Sequence, residues 1–237
     1  MPRNPLWAAI AATLSDEIAA GRYAAGDRLP SEAQLAARFG VNRHTLRRAL
    51  AQLAERGMVQ PRMGSGVYVT PGRRIDYAIG RRVRFHANIE AQGASAGRSI
   101  LATETRRADG PEADRLGLDR GAPVHVVEGI SYADGVPLGL FRSVFPALRF
   151  PALIALLGEN ASITAALAAS GVADYSRART DISATLADAT QALRLRVAEG
   201  AALLMTEGLN IDPAGIPVEF GTSWFAAERI TLTVEPE

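Results

Sequence analysis

Asn42, Arg43, His44, Thr45, Arg47 and Arg48 fall within one seven-residue run. Coiled into a helix, the run presents a cationic and polar arc that meets no acid until Glu55. Solvated helices usually interleave glutamate with arginine, so a face left this positive suits a polyanion. Arg43 and Arg47 stand one turn apart and project to the same side. A guanidinium fork can grip O6 and N7 of guanine with two hydrogen bonds, and residues near the start of a groove-bound helix reach base edges. The chemistry on offer is recognition of double-stranded DNA.

A second set of residues suits a smaller anion. Arg84, Arg142, Arg177 and Arg179 lie on or beside elements that a ligand could approach, and the two-residue period of a strand puts Arg177 and Arg179 on one face. Singly, each suits a surface salt bridge as well; together they favour an acidic ligand. Two helix starts, one at Arg84-Phe85-His86-Ala87-Asn88 and one at Ser162-Ile163-Thr164, offer free amides and partial positive charge to phosphate-like groups. Gly64-Ser65-Gly66 looks at first like a phosphate cradle. A nucleotide loop needs a helix after it, however, and Val67-Tyr68-Val69 continues as strand.

The composition sets the frame for both sets. The chain has 237 residues, enough for two modest domains, and no cysteine, which excludes disulfides, thiolate metal sites and cysteine nucleophiles. Three scattered histidines, His44, His86 and His125, do not make a metal centre, and neither metal nor cofactor is expected. No apolar run reaches the roughly 20 residues of a membrane span, so no membrane partner and a cytoplasmic address are expected. The net charge of +1 hides a division: residues 1–74 carry eleven arginines against five acids, and the remainder fifteen against twenty. All the positive side chains other than histidine are arginine, so any anion site is built from guanidinium forks.

The elements that must position these residues can be read from caps and periodicity. Leu6, Ile10, Leu14 and Ile18 line one face of a first helix. Ser31 caps a short second helix that runs to about Phe39, with Gly40 in a left-handed cap position. Asn42 caps a third, whose Leu46, Leu50 and Leu53 face inward. Val59 to Val69 make two strands around the glycine turn. Two capped helices and a short turn form a helix-turn-helix with a β-wing, and Arg62 stands beside the wing tip.

Pro71-Gly72-Arg73-Arg74 opens a linker, placed at residues 73–80 between a DNA-binding domain at 1–72 and a second domain at 81–237. In the second domain helices are expected at Phe85–Gln92, Glu112–Leu116, Ala152–Leu157, Ser162–Ala169 and Ala187–Leu195. Strands are expected at Ile100–Arg107, Val124–Tyr132, Leu138–Phe145, Ser176–Ala184, Leu203–Ile211, Val218–Trp224 and Ile230–Val234. Asp134-Gly135 turns one hairpin. Adjacent hairpins with helices outside them imply an α+β domain on an antiparallel sheet.

Leu29-Pro30-Ser31-Glu32, Val41 through Leu50, and Gly57-Met58-Val59 through Gly64-Ser65-Gly66 resemble the winged helix-turn-helix of the GntR family of bacterial regulators over residues 5–70. That resemblance implies operator contacts by Asn42, Arg43, His44, Thr45, Arg47 and Gly66; Ser31, Glu32, Arg48, Arg62, Gly64 and Ser65 complete the expected DNA-binding set. Ala33 departs from the family, which often carries arginine after the Ser-Glu pair.

Leu116-Gly117-Leu118, Ala133 through Leu138, Ser162-Ile163-Thr164 and Asp212 through Phe220 resemble the UTRA domain of the HutC branch, whose fold is shared with chorismate lyase. The resemblance implies a ligand-responsive homodimeric regulator, expected to be a repressor, with effector contacts by Ser162, Glu219 and Phe225. Thr164, His86, Asn88, Tyr175 and the four arginines complete that set. Members that sense sugar phosphates often carry Arg-x-Arg where this chain has Gly129 and Ser131. The runs Arg82 through Asn88, Phe145 through Pro151 and Gly171 through Arg177 look closest to regulators of phosphonate metabolism. The expected effector is a phosphonate, its breakdown product or phosphate, with a sugar phosphate or a carboxylate as the alternative. An enzyme of the chorismate-lyase type is a remote third reading, because no Ser-His-acid arrangement follows from spacing.

Overall fold

The computed structural model describes residues 5–19, 21–23, 26–70, 74–81, 85–157 and 162–234. The chain divides into two units whose boundary in the sequence falls between Arg74 and Ile75. No described helix is long and apolar enough to cross a membrane.

The first unit runs α1 (Leu6–Ala19), α2 (Glu32–Phe39), α3 (Arg43–Glu55), β1 (Val59–Arg62) and β2 (Gly66–Val69). Its start and stop signals are local. Ser31 Oγ accepts from the Gln34 amide while the Gln34 side chain reaches back to the Ser31 amide, a reciprocal capping box. Gly40 ends α2 at φ +63°, a left-handed backbone that glycine adopts without strain. Asn42 then caps α3, its Oδ1 accepting from the Thr45 amide at 2.8 Å. Leu14 of α1, Leu35 of α2, Leu46 and Leu53 of α3, and Val59 and Val69 of the hairpin close on one core. Ser31→Ala is expected to cost about 1 kcal/mol of unfolding free energy, as loss of an N-cap usually does. A urea midpoint equal to wild type would show that the cap contributes nothing.

The second unit runs β3 (Ile75–Ala78), α4 (Phe85–Glu90), β4 (Ala96–Arg107), α5 (Gly110–Leu116), β5 (Pro123–Ala133), β6 (Val136–Pro146), α6 (Leu153–Leu157), α7 (Ile163–Ala169), β7 (Ser176–Leu186), α8 (Ala189–Leu195), β8 (Ala202–Ile211), β9 (Pro217–Ala226) and β10 (Ile230–Thr233). Six of these strands form one antiparallel sheet in the order β4-β5-β6-β9-β8-β7. The α+β architecture expected from the hairpins is therefore present. β3, within the stretch read as linker, pairs parallel with β10. Four residues beside an Arg-Arg pair give too little alternation to announce a strand, although Ile75 and Tyr77 are both buried.

The two faces of the sheet are covered differently. On one, α5 packs Ala113 and Leu116 against Val124, Val126 and Val144. On the other, α6 and α7 cover Val127, Phe141 and Phe145 with Leu153, Ile163 and Leu167. Tyr77 of β3, Phe85 and Ile89 of α4 and Phe225 of β9 form a further cluster. Between these clusters the second face is left open as a cavity.

Candidate functional site

In the first unit α3 buries Leu46, Ala49, Leu50 and Leu53, while Asn42, Arg43, His44, Arg47 and Arg48 remain exposed and Thr45 is half-buried. The exposed arginines differ in how they are held. Arg47 Nε donates to Glu32 Oε2 at 2.8 Å, so α2 steadies one guanidinium of the Arg43/Arg47 pair. Arg48 lies over the Trp7 ring, 4.5 Å from its centroid. Ser31 is committed to its capping box, and Glu32 to Arg47; both act on the arc by fixing α2 and its neighbour.

The wing is a tight hairpin. The Ser65 amide donates to the Arg62 carbonyl, Ser65 Oγ and Tyr68 Oη lie 2.7 Å apart, and Arg62 stacks over Tyr68 at 4.3 Å. Gly64 and Gly66 have φ of +72° and +108°. The backbone around Arg28 pairs with Tyr68 along the outer edge of β2. Gly66 needs glycine for its backbone angle, and a Cβ there would stand 2.8 Å from Arg28 Nε, so that side chain would have to move aside.

In the second unit a cavity of about 350 Å3 opens on the sheet. Its floor is built from alternate residues of five strands: Arg98 of β4, Phe141 and Ser143 of β6, Glu219, Gly221, Ser223 and Phe225 of β9, Thr206 and Asn210 of β8, and Arg177 and Thr180 of β7. Its walls come from Tyr77 of β3, Phe85 and His86 of α4, Ser162 and Thr164 at the start of α7, and Tyr175.

Two guanidiniums converge here. Arg98 is sandwiched between the Phe85 and Phe141 rings, 5.1 and 4.7 Å from their centroids, and its Nε is screened from solvent with no acceptor. Burial pulls its pKa below the ordinary guanidinium range. Arg177 Nε donates to Asn210 Oδ1 at 2.8 Å and its Nη1 to Thr180 Oγ1 at 3.3 Å. Neither arginine has a carboxylate partner among the described residues. Ser143 Oγ donates to Glu219 Oε1 at 2.6 Å and Asn210 Nδ2 to Glu219 Oε2 at 2.7 Å.

Desolvation, then the charge of Arg98, lowers the His86 pKa. Ser162 Oγ accepts from the Ala165 amide at 3.2 Å, which leaves its hydrogen free to donate. Thr164 Oγ1 pairs with Tyr175 Oη at 2.8 Å.

His86, Ser162, Thr164, Tyr175, Arg177, Glu219 and Phe225 meet at one cavity. Arg84 lies outside the described residues. Three expectations need correction. Arg142 points to the opposite face, toward Glu112 of α5 and Glu128 of β5, because its neighbours Phe141 and Ser143 face the cavity. Arg179 is exposed and paired with Asp181. Opposite β8, Arg177 pairs with Asn210 and Arg179 with Leu209, so a bulge absorbs one residue and turns the two arginines to opposite faces. Asn88 donates to and accepts from the Ala78 backbone, tying α4 to β3 instead of lining the cavity.

Arg98 is the principal residue that sequence reasoning missed. The strand was expected to begin at Ile100, two residues too late to include it. Its cross-strand partner on β5 is Ser131, and Gly129 lies under Phe141, where a Cβ would stand 2.5 Å from the ring. The guanidinium absent from β5 is supplied by the next strand.

Gly208 marks how closely Arg177 is held, since a Cβ there would overlap the guanidinium. Gly208→Ala is expected to push the fork off its line and break its bonds to Asn210 and Thr180, with the melting temperature unchanged. An Arg177 Nε resonance at its wild-type position in the NMR spectrum would show that the fork has not moved.

A cationic helix and wing in one unit and an arginine-bearing cavity in the other define a DNA-binding regulator with a ligand domain. The chain belongs to the GntR family of bacterial regulatory proteins. Residues 6–69 match the family model for bacterial regulatory proteins of the gntR family, and residues 91–231 match the UTRA domain. The chain is 37% identical over 227 residues to the probable transcriptional regulator PhnF of Escherichia coli, covering 95% of this chain and 93% of that relative. It is 32% identical over 208 residues to the HTH-type transcriptional repressor PhnF of Mycolicibacterium smegmatis, covering 88% and 84%. The crystal structure of PhnF from Mycobacterium smegmatis superposes with a TM-score of 0.65 at 30% identity, covering 96% of this chain and 99% of that one. The molecule is a transcriptional regulator of the GntR type, built as a winged helix-turn-helix followed by a UTRA domain, and it is similar to PhnF regulators.

Proposed function

We propose that this regulator is a repressor that binds an inverted-repeat operator as a homodimer and is released by a small anion of the phosphonate or phosphate class. The observation that carries the reading is the pair of guanidiniums, Arg98 and Arg177, at one cavity without a carboxylate partner. Desolvated cations left unpaired are costly, and an anionic ligand removes that cost. Ser162 adds a hydroxyl donor. The helices that start at the cavity, α4 and α7, have only six and seven residues, so the two arginines supply most of the attraction.

DNA affinity comes from arginine contacts to phosphate, and sequence choice from Arg43, Arg47, His44 and the residues around Asn42. A coupling of about 1–3 kcal/mol between ligand and operator, roughly 5–150-fold, is typical of such regulators. The similarity to PhnF proteins supports a phosphonate, its breakdown product or phosphate over a sugar phosphate, and the aromatic lid on Gly129 points the same way.

A thermal-shift screen of the full chain against alkylphosphonates, inorganic phosphate and sugar phosphates tests the ligand class. DNA release is then measured on the fragment upstream of its own gene. Stabilisation by phosphonates or phosphate together with release is expected. Stabilisation by sugar phosphates alone would replace the ligand class, and tighter DNA binding with ligand would reverse the sign of regulation.

A further inference from the structure

Glu219 is out of place in a cavity built for an anion. It is buried, it lines the floor, and a carboxylate there repels a phosphonate. Among the described residues it makes no salt bridge to either arginine, although its charge acts on Arg98 through space. Asn210 stands between, accepting from Arg177 on its oxygen and donating to Glu219 from its nitrogen, so the two charges are linked without neutralising each other. Each carboxylate oxygen of Glu219 accepts one bond, from Ser143 or Asn210, and a carboxylate has about four acceptor sites in all. Acceptor capacity therefore remains on the cavity side.

The charge inventory agrees. Among the described residues, the buried part of the cavity holds two guanidiniums and one carboxylate, and Glu90, also at the cavity, is exposed. A phosphonate or phosphate group near neutral pH carries about −1.5 to −2, which overshoots the single excess positive charge. A ligand that also carries one ammonium group brings the sum near zero.

We infer that the effector is a zwitterion, an alkyl phosphonate or phosphate monoester with an amine at its far end. The two guanidiniums take the anionic head and Glu219 takes the ammonium. This rests on the reading of the cavity as a phosphonate-class site.

The test is calorimetry of the full chain with five probes: 2-aminoethylphosphonate, O-phosphoethanolamine, n-propylphosphonate, N-acetyl-2-aminoethylphosphonate and inorganic phosphate. The two amines are expected to bind at least about tenfold more tightly than the propyl and acetylated probes, as a charge-assisted hydrogen bond supplies. Glu219→Gln is expected to collapse that ratio. The acetylated probe makes the same point on the unaltered protein should the variant fail to fold. A preference between the two amines identifies the source, carbon–phosphorus or ester, and either order supports the inference. Propyl or acetylated probes binding as tightly as the amines would overturn it while leaving the phosphonate-class reading intact. Binding of phosphate alone would overturn it likewise, and binding of none of the five would overturn both.

Discussion

Arg98→Ala is expected to weaken effector binding by about 10- to 150-fold, the worth of roughly 1.5–3 kcal/mol in bonds to a charged group, with operator affinity in the absence of ligand close to wild type. The guanidinium lies between Phe85 and Phe141 and cannot swing to solvent without losing both ring contacts. Its Nε lacks an acceptor, so the bonds lost with it are those made to the ligand. Arg98→Lys should recover only part of the loss, because an ammonium keeps the charge but neither the planar fork nor the stacking. Calorimetry with the strongest ligand of the screen measures this directly. An unchanged Kd for the alanine variant would place the anion elsewhere in the cavity.

The second large effect is expected on DNA. Arg43→Ala should cost about 1–3 kcal/mol on the operator and much less on random duplex, the signature of a base contact. Arg43 is exposed at the first position of α3 and has no ion pair among the described residues, whereas Arg47 is already engaged by Glu32. Arg47→Ala should fall in the same range, less the cost of breaking that pair. Equal losses on operator and random duplex would show that these side chains touch phosphates only, and the salt dependence of binding would then flatten in step.

The DNA-binding unit was legible because its signals are local. Ser31, Gly40 and Asn42 each act within a few residues of themselves, and the structure puts caps and a left-handed glycine at those positions. The cavity was legible only in part. Ser162, Arg177, Glu219 and Phe225 are far apart in sequence, and the resemblance to UTRA domains named them where spacing could not. Arg179 was misplaced because a bulge changes face without changing composition. Arg142 was misplaced because a strand buried on both faces offers no polar alternation to fix its register, as β6 shows. Arg98 belongs to an edge strand with largely exposed residues, whose start has no apolar marker.

Phe141 lies over Gly129, where a Cβ would come within 2.5 Å of the ring and closer still to the Ser99 carbonyl. Shrinking position 141 clears only the ring, because the Ser99 carbonyl belongs to the β4 backbone, and Phe141→Ala also strips one wall from Arg98. Glycine at 129 is thus held from two sides. A lineage acquiring a new inducer through β5, or a laboratory library aimed at the same goal, must shift the neighbouring strand as well as change both codons.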